Sequence, residues 1–265
     1  MPKIIEYDTL GSTNREAKRL GLTGAEHGTS VIAAEQTEGR GRLGRNWFSP
    51  RGGLWMSVIV RFQPEQDASV PFLIDPSISL AAGVAVAEAL TDIFVELGQP
   101  DVNVRIGWPN DILIEGRKIA GILVEGCVIE NDSPFAVAGF GINLNNKAGS
   151  LPGELRNAAI SVKDIANTEY PVRKACEKLA AIFLKTINHI QQNGIDDVLD
   201  KWRTRSAAIG REVTVIPHGE PPYDAIPLDI DSNGRLVVRM ISGETKLLDA
   251  EEVTISRNSN REGIK

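Results

Sequence analysis

Two β-type runs, Ile112–Ile114 and Lys118–Glu125, are separated only by Glu115-Gly116-Arg117. So short a connection cannot carry a helical crossover, so the runs pair antiparallel as a hairpin. The rest of the chain is read around that pairing. Thr29–Ala34 has the composition of a buried strand, and Val102–Ile106 and Pro134–Leu144 are further β-type runs. Leu54, Met56, Val58, Val60 and Phe62 alternate with Trp55, Ser57, Ile59 and Arg61, which predicts a strand with two different faces. Helical spacing occurs in two long stretches. Leu80, Val84, Ala87, Leu90 and Phe94 repeat within Ser77–Leu97, which Gly98 stops, and Cys176, Leu179, Phe183, Ile187 and Ile190 repeat within Val172–Gln192 ahead of Gly194. Ser12-Thr13-Asn14 signals an earlier helix, with Thr13 and Glu16 spaced as a capping box. Pro64–Pro76 reads as a surface loop. Up to Ser206 these elements predict an α+β domain over residues 1–206, a mixed, largely antiparallel sheet with flanking helices.

The character changes after Gly210. Val213–Ile216, Ala225–Ile230, Leu236–Met240 and Lys246–Leu248 are short β runs, and Asn233-Gly234 between the second and third is a strong hairpin signal. No long helical pattern remains, so residues 207–265 are expected to form a small all-β barrel.

Charge and cysteine usage exclude several function classes. The chain holds 35 acidic and 29 basic side chains, a net charge of −6, which argues against a non-specific nucleic-acid surface. Cys127 and Cys176 offer neither a disulfide framework nor metal-type spacing, as in a reducing compartment. His27, His189 and His218 lie far apart. Met1–Glu6 is too short and too charged for a signal peptide. The apolar stretch around Ile78–Leu90 carries Glu88 and falls short of the ~20 residues of a membrane span. The expectation is a cytoplasmic protein with no membrane or nucleic-acid partner.

One segment departs from the acidic balance. Arg40, Arg42, Arg45 and Arg51 lie close together among glycines. Gly39, Gly41 and Gly44 formally match G-x-G-x-x-G after a strand, but Trp47-Phe48-Ser49-Pro50 follows instead of the helix that would hold a pyrophosphate. The dinucleotide reading fails on context. What remains is either a solvated surface loop or a loop that offers backbone N–H groups and guanidinium forks to a phosphate or carboxylate. A second segment, Gly107-Trp108-Pro109-Asn110-Asp111, ends a strand in a rigid turn with polar tips. It suits a site equally well as a turn in which Asn110 and Asp111 cap their own backbone. No G-x-S-x-G, H-E-x-x-H or phosphate-loop pattern occurs, and no residues read as metal ligands.

Taken together and in order, these segments resemble the biotin–protein ligase family. The likeness rests on Ser12-Thr13-Asn14, Gln36 through Trp47, Trp108-Pro109-Asn110-Asp111, Lys118 through Glu125, and Gly139-Phe140-Gly141-Ile142-Asn143-Leu144-Asn145. It implies the class II synthetase-like catalytic fold with a small C-terminal SH3-like β-barrel. It also implies a two-step reaction in which biotin and ATP, with Mg²⁺, give biotinyl-5′-AMP, and a lysine of a biotin carboxyl carrier protein then takes the biotin. By that likeness Ser12, Thr13 and Gln36 would bind the ureido end of biotin, with backbone contacts from Gly39 and Arg40, and Asn14 and Gly41 would be among the ligand-binding residues. Arg42, with Arg45 beside it, would sit on the carboxylate and phosphate. Trp47 would wall the ligand, and Asn143 would touch the adenine. Gly139 and Gly141 would leave room for the ligand, and Gly121, Trp108 and Asn110 would be among the ligand-binding residues. A homodimer is expected.

One departure matters. The family pattern has a lysine directly before Trp-Pro-Asn-Asp, where this chain has Gly107. Losing one charge-assisted contact of about 1.5–3 kcal/mol predicts a roughly 10- to 100-fold loss of rate, with Arg105 a partial substitute. The expectation is therefore a weakened ligase. About ten residues precede Ser12, which leaves no room for the N-terminal DNA-binding domain of bifunctional relatives and predicts the single-function type. Two alternatives stand beside it: a lipoate or octanoyl ligase, and a biotin- or adenylate-binding protein with little ligase activity.

Overall fold

Strand β1 (Ile4–Leu10) runs into helix α1 (Thr13–Leu22), which returns the chain to β2 (Ser30–Gln36) alongside β1 in parallel. In the computed structural model, which describes residues 3–61, 76–127, 134–147, 149, 151–153, 155–217, 219–250 and 253–257, this is the sole parallel pair of the large sheet. β3 (Leu54–Arg61) pairs antiparallel with β2 and β7 (Phe135–Ile142), and β6 (Arg117–Cys127) with β7 and β5 (Asp111–Ile114). β4 (Arg105–Gly107) closes the order β1-β2-β3-β7-β6-β5-β4. The predicted mixed sheet is the observed one. Its hairpin turns at Glu115 and Gly116, with φ of 50° and 79°, a left-handed pair whose twist matches the flanking strands. The expected loop before Pro76, and His218, lie outside the described residues.

The sheet is covered on both faces. Helices α2 (Pro76–Glu96), α5 (Val172–Asn193) and α6 (Asp196–Arg205) pack on one side, over Met56, Val58, Val60, Ala138 and Ile122. On the other side α1 covers one end, where Ala17 meets Val31, Ile59, Phe135 and Val137. β3 has the two different faces that the alternation predicts, with Met56, Val58 and Val60 in the main core and Ile59 in the α1 cluster, and Leu54 through Val60 are all buried because the second face is roofed by α1 and the glycine loop. The expected shortfall in length is corrected, since helix α2 has the length and apolarity of a membrane span, yet Ala81, Ala82, Val84, Ala85 and Val86 are fully buried against its neighbours.

The helix starts also need correction. α1 is capped by Ser12, which makes no side-chain cap bond, and no Thr13–Glu16 box forms. Glu16 is taken by Arg19 and Tyr7 at 2.7 Å each, and the Thr13 hydroxyl turns to Gln36. A true box, Ser161 with Asp164, opens α4 (Val162–Ala166). β1, α6 and the short α3 (Leu155–Ala158) and α4 escaped the sequence reading, since their apolar patterns are sparse; α6 buries only Val198, Leu199 and Trp202.

After α6, β8 (Val213–Pro217), β9 (Tyr223–Ile230), β10 (Leu236–Met240), β11 (Thr245–Leu248) and β12 (Val253–Arg257) form a second, antiparallel sheet in the order β11-β10-β9-β8-β12. Asn233-Gly234 does turn β9 into β10. The described pairings do not close this sheet into a barrel. Its inner residues, among them Val213, Ile230, Leu236 and Val238, continue the main core.

Outside the sheet, Glu96 at the end of α2 binds Tyr170, Lys174 and Lys178 at 2.6, 2.8 and 2.9 Å. Hydrogen bonds from Lys174, then Tyr170 and Lys178, hold its carboxyl at about 2, below the ordinary 4.5. A lowered carboxylate pKa adds stability above the unfolded value, and that stability is lost as pH falls from 4.5 through about 2. Glu96→Gln is therefore expected to melt below the native protein at pH 7, with the gap closing near pH 2. An equal gap at both pH values would contradict this.

Candidate active site

The register of the large sheet sets one row of facing residues across five strands: Trp55 on β3, Gly141 on β7, Gly121 on β6, Asp111 on β5 and Gly107 on β4. The two central glycines leave a shelf, and the indole of Trp47 lies on it. A Cβ at Gly141 would stand 2.5 Å from Trp47 Nε1, and one at Gly121 2.8 Å from Cζ3. Trp47 meets Trp55 edge-on with centroids 6.5 Å apart. Its Nε1–H is buried with no partner among the described residues.

Above this shelf opens a cavity of about 340 Å³. Its walls include Ser12, Thr13, Asn14, Gln36, Arg40, Gly41, Arg42, Arg45, Trp47, Trp108, Asn110, Gly121, Gly139, Gly141 and Asn143. All of these are sequence-predicted site residues. Two predicted positions are not in the wall. Gly39 is buried beneath the loop, where a Cβ would strike the Trp47 carbonyl at 2.3 Å, so its task is to let the loop fold onto itself. Gly107 borders a smaller neighbouring cavity with Leu113, Gly116, Ala207, Ala208 and Val213.

One end of the main cavity is polar and uncharged. Gln36 Oε1 accepts from the Thr13 backbone N–H at 2.8 Å and from its hydroxyl at 3.1 Å, while Gln36 Nε2 donates to Ser49 Oγ at 2.9 Å. The Ser57 hydroxyl stands 2.8 Å from Thr13 Oγ1 and 2.6 Å from Asn14 Oδ1. Gly139 makes room for Asn14: a Cβ there would lie 2.1 Å from Asn14 Oδ1. Gly139 and Gly141, expected to leave space for a ligand, line the cavity and also make room for the Asn14 carboxamide and the Trp47 indole.

The other end is cationic. Lys118 lines the cavity, its ammonium 2.6 Å from Asp111 and 4.9 Å from the centroid of the Trp47 ring. Sequence reasoning missed it as a site residue, although its spacing after the Trp-Pro-Asn-Asp turn places it on the second strand of the hairpin. Arg42 reaches from the loop, whose single 3₁₀ turn spans Arg42–Gly44, to the Ala250 carbonyl at 2.5 Å. Val253, Thr254 and Ile255 of the second sheet add to the wall, and Trp108 Nε1 donates to Gly234 O at 3.0 Å. The small sheet is thus part of the site. Asn110 does not cap its own turn but donates to Ile122 O at 2.6 Å, which ties the turn to β6. Asn143 is fixed by Asn146, which donates to its Oδ1 at 2.9 Å.

Lys118 places a cation in the main cavity, while Gly107, in the same row of the sheet, borders the neighbouring cavity, which shares Trp108, Asp111 and Ile255 with the main one. Arg105 is no substitute: it caps α6, donating to Ser206 O at 2.5 Å. Arg51 leaves the clamp as well, bound to Asp8 at 2.7 and 2.8 Å. Neither cysteine supplies a nucleophile, since both are buried and burial pushes the Cys176 thiol up to about 12. The cavity can therefore hold an elongated molecule, hydrogen-bonded at one end and anionic at the other.

Comparison with known proteins agrees with this arrangement. A biotin/lipoate A/B protein ligase family model matches residues 7–143. The bifunctional ligase/repressor BirA of Bacillus subtilis is 30% identical over 249 residues, 94% of this chain and 73% of that protein. The biotin–[acetyl-CoA-carboxylase] ligase of Mycobacterium tuberculosis is 33% identical over 248 residues, 92% of this chain and 85% of that protein. A biotin protein ligase from Aquifex aeolicus, solved with biotin and ATP, superposes with a TM-score of 0.79 at 23% identity, covering 97% of this chain and all of that one, and shares its fold.

Proposed function

The chain belongs to the biotin/lipoate A/B protein ligase family, and from that premise we propose that it is an ATP-dependent biotin–protein ligase acting on a biotin carboxyl carrier domain. The observation that carries this reading is the polarity of the cavity, with Thr13 and Gln36 at one end and Lys118 and Arg42 at the other. A ureido head needs paired donors and acceptors when it leaves water. A carboxylate meeting a phosphate needs cations, because two anions must approach each other.

In the first step a biotin carboxylate oxygen attacks the α-phosphorus of ATP, the α–β bridging P–O bond breaks, and pyrophosphate leaves. Lys118 and Arg42 offset the negative charge of both partners; Mg²⁺ held by the nucleotide phosphates would add charge neutralisation, since no cluster of metal-ligating side chains occurs among the described residues. In the second step an uncharged carrier lysine amine attacks the biotinyl carbonyl. The C–O bond to AMP breaks, and the amine proton passes to solvent. We place this chemistry in residues 1–206, with residues 207–265 supplying Ala250, Val253, Thr254 and Ile255 to one wall.

The test is incubation with radiolabelled pyrophosphate, ATP and either biotin, lipoate or octanoate, followed by addition of a carrier domain and detection of bound biotin. Biotin-dependent exchange and carrier labelling are expected. Exchange driven by lipoate or octanoate alone would move the chain to the other branch of the family. Biotin binding with no exchange would make it a binding protein.

A further inference from the structure

Glu125 stands on β6 two positions beyond Leu123 and four beyond Gly121, on the face that forms the cavity, yet outside its wall. Its side chain is 31% exposed. Beside a pocket that receives an anion, a carboxylate repels the ligand unless its charge is put to another use. Here both oxygens are engaged. Oε2 accepts from Asn14 Nδ2 at 2.8 Å, and Oε1 lies 3.9 Å from Arg40 Nη1.

Resting on the ligase reading, we propose that Glu125 is the positioning residue for the biotin-binding end of the cavity, orienting Asn14 and holding Arg40. A carboxamide has a donor end and an acceptor end of nearly the same shape, so its neighbours decide which way it faces. The Glu125 carboxylate and the Leu123 carbonyl, at 2.8 and 3.2 Å from Asn14 Nδ2, are acceptors only. They engage both amide hydrogens and turn Oδ1 toward Ser57, 2.6 Å away. The Ser57 hydroxyl then donates to Asn14, which leaves the single Thr13 hydroxyl proton to be shared between Ser57 at 2.8 Å and Gln36 Oε1 at 3.1 Å. Thr13 in turn meets Gln36, which is tied through Ser49 to the Trp47 carbonyl at 3.1 Å. One carboxylate thereby fixes the orientation of Asn14 and the direction of the Ser57 proton beside Thr13, one of the groups expected on the ureido ring. The same carboxylate holds the first arginine of the loop, so the start of the loop and the floor of the site share one anchor.

The test compares Glu125→Ala and Glu125→Gln with the native chain in three readouts: biotin titration calorimetry, the KM and kcat of biotin-dependent exchange, and trypsin cleavage at Arg40, Arg42 and Arg45 without ligand. Loss of an ionic hydrogen bond corresponds to about a 10- to 100-fold effect. Glu125→Ala is expected to weaken biotin binding and raise its KM by that factor, to change kcat less than about threefold, and to speed cleavage. Glu125→Gln keeps an oxygen for Asn14 but drops the partner of Arg40. It should return biotin affinity to within about threefold while cleavage stays fast, and it carries the test if the alanine variant does not fold. Native biotin affinity in Glu125→Ala, no rescue by Gln, or native cleavage rates in both variants would overturn the proposal. Absence of biotin binding by the native chain would overturn the ligase reading instead, with the cleavage rates still deciding whether Glu125 anchors the loop.

Discussion

Lys118→Met is expected to lower biotin-dependent ATP–pyrophosphate exchange by about 10²- to 10³-fold, the effect of removing one group that stabilises charge in a transition state. The methionine keeps the length and apolar stem and can place its thioether against the Trp47 ring where the ammonium stood, so the melting temperature should change little. What goes is the ammonium 2.6 Å from Asp111. Its loss has two consequences of the same sign. The reacting carboxylate and phosphate lose a cation, and the Asp111 carboxylate is left uncompensated in a cavity that must accept anions. Lys118→Met with Asp111→Asn should therefore recover part of the rate, a coupling that a purely structural lysine would not show. Gly107→Lys offers the contrast. A side chain there starts 2.7 Å from Leu113 Cδ1 in the neighbouring cavity and is expected to raise the rate by less than about threefold. Exchange by Lys118→Met within tenfold of the native rate, or a large gain from Gly107→Lys, would restore the earlier view that the site is a charge short.

Gly141→Val is expected to weaken biotin binding at least about 100-fold and to destabilise the protein by about 1–3 kcal/mol. The new Cβ would stand 2.5 and 2.6 Å from Trp47 Nε1 and Cε2. β7 is a central strand, bonded on one side to β3 and on the other to β6, so the backbone cannot give way. The indole must then leave the shelf, and the open direction is the cavity itself. Adding Trp47→Ala to Gly141→Val should restore much of the stability, because the clash disappears with the ring. Calorimetry with biotin and thermal melting read the two effects separately. Biotin affinity within tenfold of native in Gly141→Val would show that the indole has another resting place.

Much of this molecule was legible in its sequence, for reasons that differ by element. The β5–β6 hairpin could be read because Glu115-Gly116-Arg117 leaves no length for anything else. α2 and α5 could be read because their apolar residues repeat at helical spacing over many turns. β1 and α6 were not read, since their burial comes from neighbours distant in the chain. The wall residues Ser12, Thr13, Gln36, Arg42 and Trp47 were recognisable from the company they keep in order along the chain. Ser57 and Glu125 were not, because a serine or glutamate in an alternating strand looks like any solvent-facing residue.

The sequence by itself determined the element types, the antiparallel character of the sheet and the concentration of arginines in one glycine loop, because turn length, apolar period and residue type are local properties. Only the tertiary structure brought Lys118 into the wall of the cavity. Gly107 on β4 and Lys118 on β6 are separated by β5, and which of two adjoining cavities each borders depends on strand register and on the residues the second sheet adds to the walls. It also decided what the glycines are for. Gly139 and Gly141 were spaces of unknown content until cross-strand register set one beneath Asn14 and the other beneath Trp47, since close approach between side chains far apart in sequence exists only after the strands have paired.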